Sequence, residues 1–192
     1  MNIDIGVIEV GLGGRYDATN VLDSIMSIIT SISYDHMNIL GESIEKIAYE
    51  KAGIIKSNQI TVLYPQRFKK AEEVIEKVCK EKNSICVKVS DKNVVQKEFG
   101  LEGQKIDYYF NDKIYKDIML PLLGDHQLLN AAVAISAAVK LNELGFIINE
   151  ESIRKGISKV VWPGRFSIVS KKPFIVIDGA HNEDGIYVLA EA

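Results

Sequence analysis

The sequence has little of what marks a secreted or membrane-bound chain. Only two cysteines occur among its 192 residues, Cys79 and Cys86, and they match neither a disulfide framework nor the spacing of metal ligands. No apolar run approaches the roughly 20 residues that span a bilayer, and residues 1–10 lack the basic start and cleavage site of a signal peptide. We therefore expect a cytoplasmic protein with no membrane partner.

An excess of charge of one sign is also missing. The chain has 23 Lys and Arg residues against 26 Asp and Glu residues, and the two signs are mixed along it. This distribution offers no basic surface, so we expect no nucleic-acid partner. The hydrophobic content of 47% is that of an ordinary globular protein with one substantial core.

Short apolar segments and amphipathic segments alternate along the first ninety residues. Strands are predicted at 3–10, 27–33, 60–63 and 85–89, and helices at 44–53, after the N-cap Ser43, and at 69–82. The segment Ile3–Val10 has the composition of a buried parallel strand. Parallel strands need crossover connections, so the pattern predicts an α/β fold with a mostly parallel sheet covered by helices.

The later sequence predicts a hairpin over 107–119 that turns at Asn111-Asp112, and an alanine-rich helix over 127–144 that ends at Gly145. A short helix follows Asn149, and a strand is predicted at 174–178. The helical pattern breaks at Trp162-Pro163-Gly164. We therefore predict a first domain over 1–161 and the start of a second, smaller α/β domain over 162–192.

Glu9 is a carboxylate at the end of the predicted strand 3–10, just before a glycine-rich turn. Ligands bind at the carboxyl ends of strands in open α/β sheets, and a buried carboxylate needs a partner. Mg²⁺ would be one, because it prefers oxygen ligands; a salt bridge to Arg15 is the other, and the residues alone leave both open. Gly11, Gly13 and Gly14 indicate a tight turn instead of a dinucleotide loop, since Tyr16 stands where the third glycine belongs.

The three histidines lie in short polar islands. His36 follows a predicted strand end and is placed to reach a metal. For His126, at the opening of the alanine-rich helix, we favour a structural role in capping or orienting that helix. Asp178 ends an apolar strand and His181 follows within one turn, so both are expected to face one crevice; a pure turn role for Asp178 stays open.

Three further polar residues stand out from their local sequence or from their place in it. Arg165 follows the break at 162–164, where its planar donor fork suits a phosphate, although surface arginines are common at boundaries. Asn130 is an amide among apolar neighbours and needs a hydrogen-bonding partner. Lys51, beside Glu50, has the local pattern of a solvated helix lysine.

Taken together, these islands resemble a known family. The run Glu-Val-Gly-Leu-Gly-Gly-Arg-Tyr-Asp-Ala-Thr-Asn at 9–20 resembles the signature of folylpolyglutamate and dihydrofolate synthases, which are members of the Mur ligase superfamily. The resemblance continues in the family's order through blocks at 35–41, 47–56, 123–132, 162–166 and 178–182. It spans nearly the whole chain.

The resemblance implies an ATP-driven ligation. A folate γ-carboxylate is phosphorylated, and the amine of L-glutamate then displaces the phosphate, with Mg²⁺ offsetting the charge on the phosphoryl oxygens. In the family, the residues that match Glu9 and His36 bind magnesium. The lysine that matches Lys51 is carbamylated, which converts it into a metal ligand.

The same resemblance implies roles for the later residues. Asn130 is expected to contact the adenine and Arg165 the ATP phosphates, whereas Asp178 and His181 are expected to line the cleft that holds ATP and the acyl phosphate. We expect Lys51 and His181 to be the catalytic residues. The expected partners are folate, L-glutamate and ATP, and the expected state is a monomer.

The sequence contains no Gly-x-x-x-x-Gly-Lys-Ser/Thr run, with which the family holds ATP phosphates upstream of the strand that matches 3–10. We therefore expect an incomplete piece of such a ligase, with negligible activity by itself. Two alternatives remain. One is another Mur-type amide ligase, which would lack the Gly-Gly-Arg-Tyr-Asp-Ala-Thr-Asn run. The other is a non-catalytic remnant that binds nucleotide or magnesium.

Overall fold

The computed structural model describes residues 3–191, with the backbone alone at residues 183, 184 and 191. The chain divides between Val87 and Lys88 into two compact units. Within the described range, no helix is both long and apolar enough to cross a bilayer.

The first unit is built on a three-stranded sheet. The strands are β1 (Met26–Ile29), β2 (Ile60–Leu63) and β3 (Ile85–Lys88), hydrogen-bonded in that order, and the helices are α1 (Met37–Leu40), α2 (Ile44–Lys51) and α3 (Lys69–Glu81). Strands β1 and β2 are parallel, with Met26 opposite Ile60, and α1 and α2 supply the crossover that this pairing requires. Ile47 of α2 and Ile75 of α3 are fully buried in one core with Leu63 of β2.

Most predicted elements of this unit are confirmed within a few residues. The predicted N-cap Ser43 accepts a hydrogen bond from the amide of Lys46 at 3.3 Å, which satisfies one of the free amides at the start of α2. Strand β2 has the predicted bounds, and α3 ends one residue early.

The predicted strand Ile3–Val10 is wrong. None of the described strands pairs with this segment, and its side chains are largely exposed, with Val7 at 90%. A β-strand is stabilised by backbone hydrogen bonds to a neighbouring strand. An apolar composition indicates that a segment favours a strand, but it does not show whether a partner strand is present. Glu9 is consequently exposed instead of buried at a strand end.

The second unit is mixed α/β with antiparallel sheets. Its elements are β4 (Val94–Gly100), β5 (Gly103–Phe110), β6 (Lys113–Leu120), α4 (Asp125–Glu143), α5 (Glu150–Ser158), β7 (Ser167–Lys171), β8 (Phe174–Ile177) and α6 (Glu183–Glu191). Strands β4, β5 and β6 form an antiparallel meander, and β7 pairs antiparallel with β8. The predicted turn at Asn111-Asp112 is confirmed, with Asn111 in the left-handed region at φ 53°.

The α/β class is therefore confirmed, with its parallel pair in the first unit, whereas the strands added by the second unit pair antiparallel. Strands β4 and β7 were not predicted. Their side chains are mostly exposed or half-buried, so they lack the apolar signal that marks buried strands. The division into domains at 161/162 stays a prediction.

Candidate functional site

The signature loop, residues 11–20, folds around the carboxylate of Asp17. One oxygen, Oδ2, accepts hydrogen bonds from the amides of Gly11 at 3.1 Å and Leu12 at 3.0 Å. The other, Oδ1, accepts from both the hydroxyl and the amide of Thr19. The hydroxyl of Thr19 contributes most to lowering the pKa of Asp17, from 3.8 to about 2, because hydrogen bonds to a carboxylate favour its charged form. The loop is thus organised by one charged side chain.

This arrangement predicts a pH dependence. Because the folded pKa of Asp17 lies below its ordinary value, the carboxylate stabilises the folded state above about pH 4, and that contribution is lost as the pH falls toward about 2. We expect wild type to be more stable than Asp17→Asn at about pH 5 and the difference to shrink toward about pH 2. Urea unfolding at a series of pH values measures it.

Asp23→Asn is the control for that series, because Asp23 is exposed and accepts no hydrogen bond within the described residues. A difference between wild type and Asp17→Asn that stays constant across the series would contradict the assigned role.

Arg15 docks the signature loop on the end of α2. Its amide donates to the carbonyl of Glu50 at 2.9 Å, and its Nη2 donates to the carbonyl of Tyr49 at 3.1 Å. The guanidinium lies over the Tyr49 ring, 3.9 Å from its centroid, as in a cation–π contact. Its Nε is 3.4 Å from a Glu50 carboxylate oxygen, an ion pair without an aligned hydrogen bond. The alternative of a salt bridge between Arg15 and Glu9 is therefore wrong, because Arg15 pairs with Glu50.

Two glycines make this docking possible. A Cβ on Gly53 would lie 2.4 Å from the Cα of Arg15, and one on Gly14 would lie 2.9 Å from the carbonyl oxygen of Lys51. Neither approach leaves room for a side chain, and both involve backbone atoms that cannot rotate away. Gly14 in the signature loop and Gly53 after α2 are thus both needed for packing the loop against α2.

Asn20 and Lys56 close the same junction. The Asn20 amide donates to the carbonyls of Arg15 at 2.9 Å and Gly53 at 3.2 Å. The Lys56 ammonium in turn donates to the backbone carbonyl of Asn20 at 2.7 Å and to its side-chain oxygen at 2.9 Å. Both residues lie in the family-like blocks of the sequence, and this position was the one sign in the sequence that they matter. Only the structure gives them a role.

Lys51, at the end of α2, is half-buried and is not the solvated lysine that the local pattern indicated. Burial lowers its pKa, and the charge of Asp35 opposes that shift. The Asp35 carboxylate accepts a hydrogen bond from the His36 amide at 2.8 Å and lies 3.7 Å from His36 Nε2. Asp35, to which sequence reasoning had assigned no role, therefore contacts His36 and acts electrostatically on Lys51.

Two further features bear on metal binding by the group formed by Asp35, His36 and Lys51. His36 has the left-handed φ of 50° before α1, and its side chain makes no capping hydrogen bond, so the imidazole is not used to start that helix. The exposed Glu9 is not linked to the group by any described contact. Across residues 3–191, no cluster of three or more His, Cys, Asp or Glu side chains is placed to hold a metal.

Two clefts flank the docked loop. The larger, about 650 Å³, which we call the tyrosine cleft, is lined by Tyr16 and Tyr49 with residues of α1, α2 and α3. The smaller, about 430 Å³, which we call the lysine cleft, includes Arg15, Lys56 and Lys82. The docked loop therefore contributes side chains to both clefts.

In the second unit, Asp178 ties two family-like blocks together. Its Oδ2 accepts from the amide of Phe166 and its Oδ1 from the amide of Ala180, both at 2.7 Å. The amide of Gly179 also donates to the carbonyl of Gly164 at 2.8 Å. Asp178 thus has the turn role that the sequence left open, and the turn it builds holds the exposed Arg165 beside Gly179.

His181 is exposed and its Nδ1 is 2.8 Å from the carbonyl oxygen of Gly179. A carbonyl only accepts, so Nδ1 bears a hydrogen, and in the neutral imidazole Nε2 is the free basic nitrogen. The side chain therefore presents a proton acceptor at the surface of the turn.

His126 is the second residue of α4 and does not cap it, because Gly124 occupies the N-cap position. The Asn130 amide donates to Gln127 Oε1 at 3.1 Å, which leaves the Gln127 NH₂ group to donate to His126 Nε2 at 3.1 Å. The proton of neutral His126 then lies on Nδ1, which is buried and has no hydrogen-bond partner among the described residues.

Burial lowers the pKa of His126, Asp178 raises it and Arg165 lowers it further. The charges of Asp178 and Arg165, two residues that the sequence had singled out, therefore act on His126. Asn130 is exposed, and Gln127 supplies the partner that its amide was predicted to need.

Comparison with known proteins gives a consistent result. A family model described as the Mur ligase middle domain matches residues 1–138. The dihydrofolate synthase/folylpolyglutamate synthase of Bacillus subtilis is 41% identical over 191 residues, which cover 98% of this chain and 44% of that protein. The folylpolyglutamate synthase of Lacticaseibacillus casei is 37% identical over 192 residues, covering 99% of this chain and 45% of that protein.

Solved structures of folylpolyglutamate synthases are similar to this chain as well. The apo form of the L. casei enzyme superposes with a TM-score of 0.89 at 37% identity, covering 97% of this chain and 46% of that one. A folylpolyglutamate synthase complex with AMPPCP and folate gives a TM-score of 0.88 at 36% identity, covering 95% of this chain and 45% of that one. The chain thus spans less than half the length of the relatives it matches.

Proposed function

We propose that this chain, which belongs to the Mur ligase middle-domain family, is part of an ATP-dependent ligase. That ligase joins L-glutamate to the γ-carboxylate of a folate. The observation that carries the proposal is the signature loop docked by Arg15 on the Lys51 end of α2. Relatives of this chain are named as folylpolyglutamate and dihydrofolate synthases, and one similar structure contains AMPPCP and folate.

We propose that Lys51, once carbamylated, would hold Mg²⁺ together with Glu9 and His36. The carboxylate of Asp35, which lies beside His36 and whose charge acts on Lys51, offers oxygens that suit a hard cation. Carbamylation would replace the lysine's positive charge with a carboxylate-like oxygen donor. Bound Mg²⁺ would supply positive charge that offsets the charge on phosphoryl oxygens. Asp17 fixes the amide of Gly11, two residues after Glu9, and so anchors the segment that carries this ligand.

We propose that the second unit contributes nucleotide contacts. The exposed amide of Asn130 is assigned to adenine and the guanidinium of Arg165 to the ATP phosphates. The unpaired Nδ1 hydrogen of His126 is a further donor for a nucleotide oxygen, because a buried donor without a partner is otherwise costly.

Two residues of the second unit are assigned to the acyl-transfer step. Asp178 holds the turn that carries His181, and we propose that the free Nε2 of His181 takes a proton from the attacking amine of glutamate. Lys51 and His181 are thus the proposed catalytic residues. We also propose that the second domain begins at Trp162, because the 162–166 segment is hydrogen-bonded to the 178–182 turn.

A chimera tests the proposed function. In the B. subtilis enzyme, the segment that aligns with this chain over 191 residues is replaced by this chain, and ADP formation is measured. We expect turnover that requires folate, L-glutamate and Mg²⁺ together.

The control is the same enzyme with the segment deleted. A folded chimera that binds ATP but shows no glutamate-dependent turnover would contradict the proposal and favour a non-catalytic nucleotide-binding role.

A further inference from the structure

The two cysteines, which the sequence gave no reason to pair, are neighbours in the fold. Cys79 lies in the last turns of α3 and Cys86 in β3. The amide of Ser84, two residues before Cys86, donates to the carbonyl of Cys79 at 2.8 Å, and a side-chain hydrogen bond joins the two thiols. Cys79 belongs to the core of the first unit with 2% of its surface exposed, and Cys86 packs against that core while remaining half-buried. One thiol is therefore shielded and the other is accessible.

The surroundings of Cys79 favour its thiolate. The hydrogen bond with Cys86 is the largest influence and lowers the pKa of the Cys79 thiol to about 7, burial opposes it, and Thr61 and Ser84 lower the pKa further. The two hydroxyls are also joined to each other at 2.8 Å, so they are held in place beside the sulfur. A thiolate is the form that attacks a disulfide.

We propose that Cys79 and Cys86 are a modification site for small-molecule disulfides such as oxidised glutathione, with Cys86 the attacking and Cys79 the resolving thiol. This inference goes beyond the ligase function proposed above and does not depend on it. It rests on the contact between the two sulfurs and on their unequal exposure.

The chemistry balances in two exchanges. The Cys86 thiol loses its proton, and its sulfur attacks one sulfur of the small disulfide, whose sulfur–sulfur bond breaks and releases one small thiolate. The Cys79 thiolate then attacks the Cys86 sulfur, the mixed disulfide breaks, and the second small thiolate leaves. The protein loses two protons and two electrons, and the small disulfide is reduced to two thiols.

The product would fasten the end of α3 to β3. Val78, the neighbour of Cys79 in α3, lines both the tyrosine cleft and the lysine cleft. The oxidised and reduced forms would therefore differ in the mobility of a wall that both clefts share.

Mass spectrometry tests the proposal on the whole chain. The folded protein is treated with oxidised glutathione, quenched with acid and alkylated under denaturing conditions. We expect wild type to become lighter by two hydrogens and to resist alkylation. Cys79→Ser should stop at the mixed disulfide, heavier by one glutathione, and Cys86→Ser should stay reduced because its remaining thiol is buried.

Circular dichroism of each variant verifies that it is folded. The proposal is overturned if wild type also stops at the mixed disulfide or stays fully alkylatable. It is also overturned if the internal disulfide forms as fast in concentrated urea as in the folded protein, because the contact made by folding would then contribute nothing.

Discussion

Replacing Gly53 by alanine is expected to lower the free energy of unfolding by about 3 kcal/mol, the upper range for adding a methyl group to a closely packed site. The new Cβ would lie 2.4 Å from the Cα of Arg15 and 2.8 Å from its backbone nitrogen. Both are backbone atoms, so the signature loop must separate from α2 or distort. Urea unfolding followed by far-UV circular dichroism measures the loss.

Gly156→Ala is the matched control. Gly156 lies within α5, it is exposed, and a Cβ there would meet nothing within 4 Å. Alanine should stabilise the protein by about 0.5–1 kcal/mol, because glycine loses more backbone entropy in a helix. Equal unfolding midpoints for wild type and Gly53→Ala would show that the loop does not need its close approach to α2.

Replacing Lys51 by arginine is expected to lower kcat of the chimera by at least about 100-fold, the loss that follows even from disturbing the groups that support a metal ligand. A guanidinium stays protonated and cannot be carbamylated. The substitution would therefore leave a positive charge where the proposed function requires an oxygen ligand. Steady-state ADP formation measures the effect.

A second readout separates the carbamylation of Lys51 from catalysis. The 192-residue chain in bicarbonate labelled with carbon-13 should show a carbamate resonance that disappears in Lys51→Arg. Lys80→Arg, on the exposed face of α3, should keep both the resonance and the activity. If wild type shows no carbamate although Lys51→Arg is inactive, Lys51 acts as an ammonium group and its metal role is wrong.

The predicted helices held because their signals are local. Ser43 and Asn149 cap α2 and α5 through hydrogen bonds to amides three residues onward, which depend on nearby chain alone. The strand predicted at 3–10 failed because strand pairing is not local: eight apolar-rich residues indicate a strand, but a partner elsewhere must complete its hydrogen bonds.

The candidate site likewise has residues that the sequence could single out and residues that only the structure could. Family-like blocks singled out Glu9, His36, Lys51, Asn130, Arg165, Asp178 and His181, whose roles stay predictions. The electrostatic effects of Asp35 on Lys51, and of Asp178 and Arg165 on His126, could be seen only in the structure, because folding brings these charges within range. The contact of Cys79 with Cys86 was likewise not predictable from their spacing, since one lies in a helix and the other in a strand.

The sequence by itself determined the α/β class, the starts of the capped helices, the family and the blocks that carry its signature, because these depend on neighbouring residues and on motif order. The tertiary structure decided which distant groups act on one another: the backbone of Arg15 lies against Gly53, the charge of Asp35 acts on Lys51, and the thiol of Cys86 is hydrogen-bonded to that of Cys79. Such contacts arise when distant segments pack, and packing depends on shape and burial that no single segment encodes.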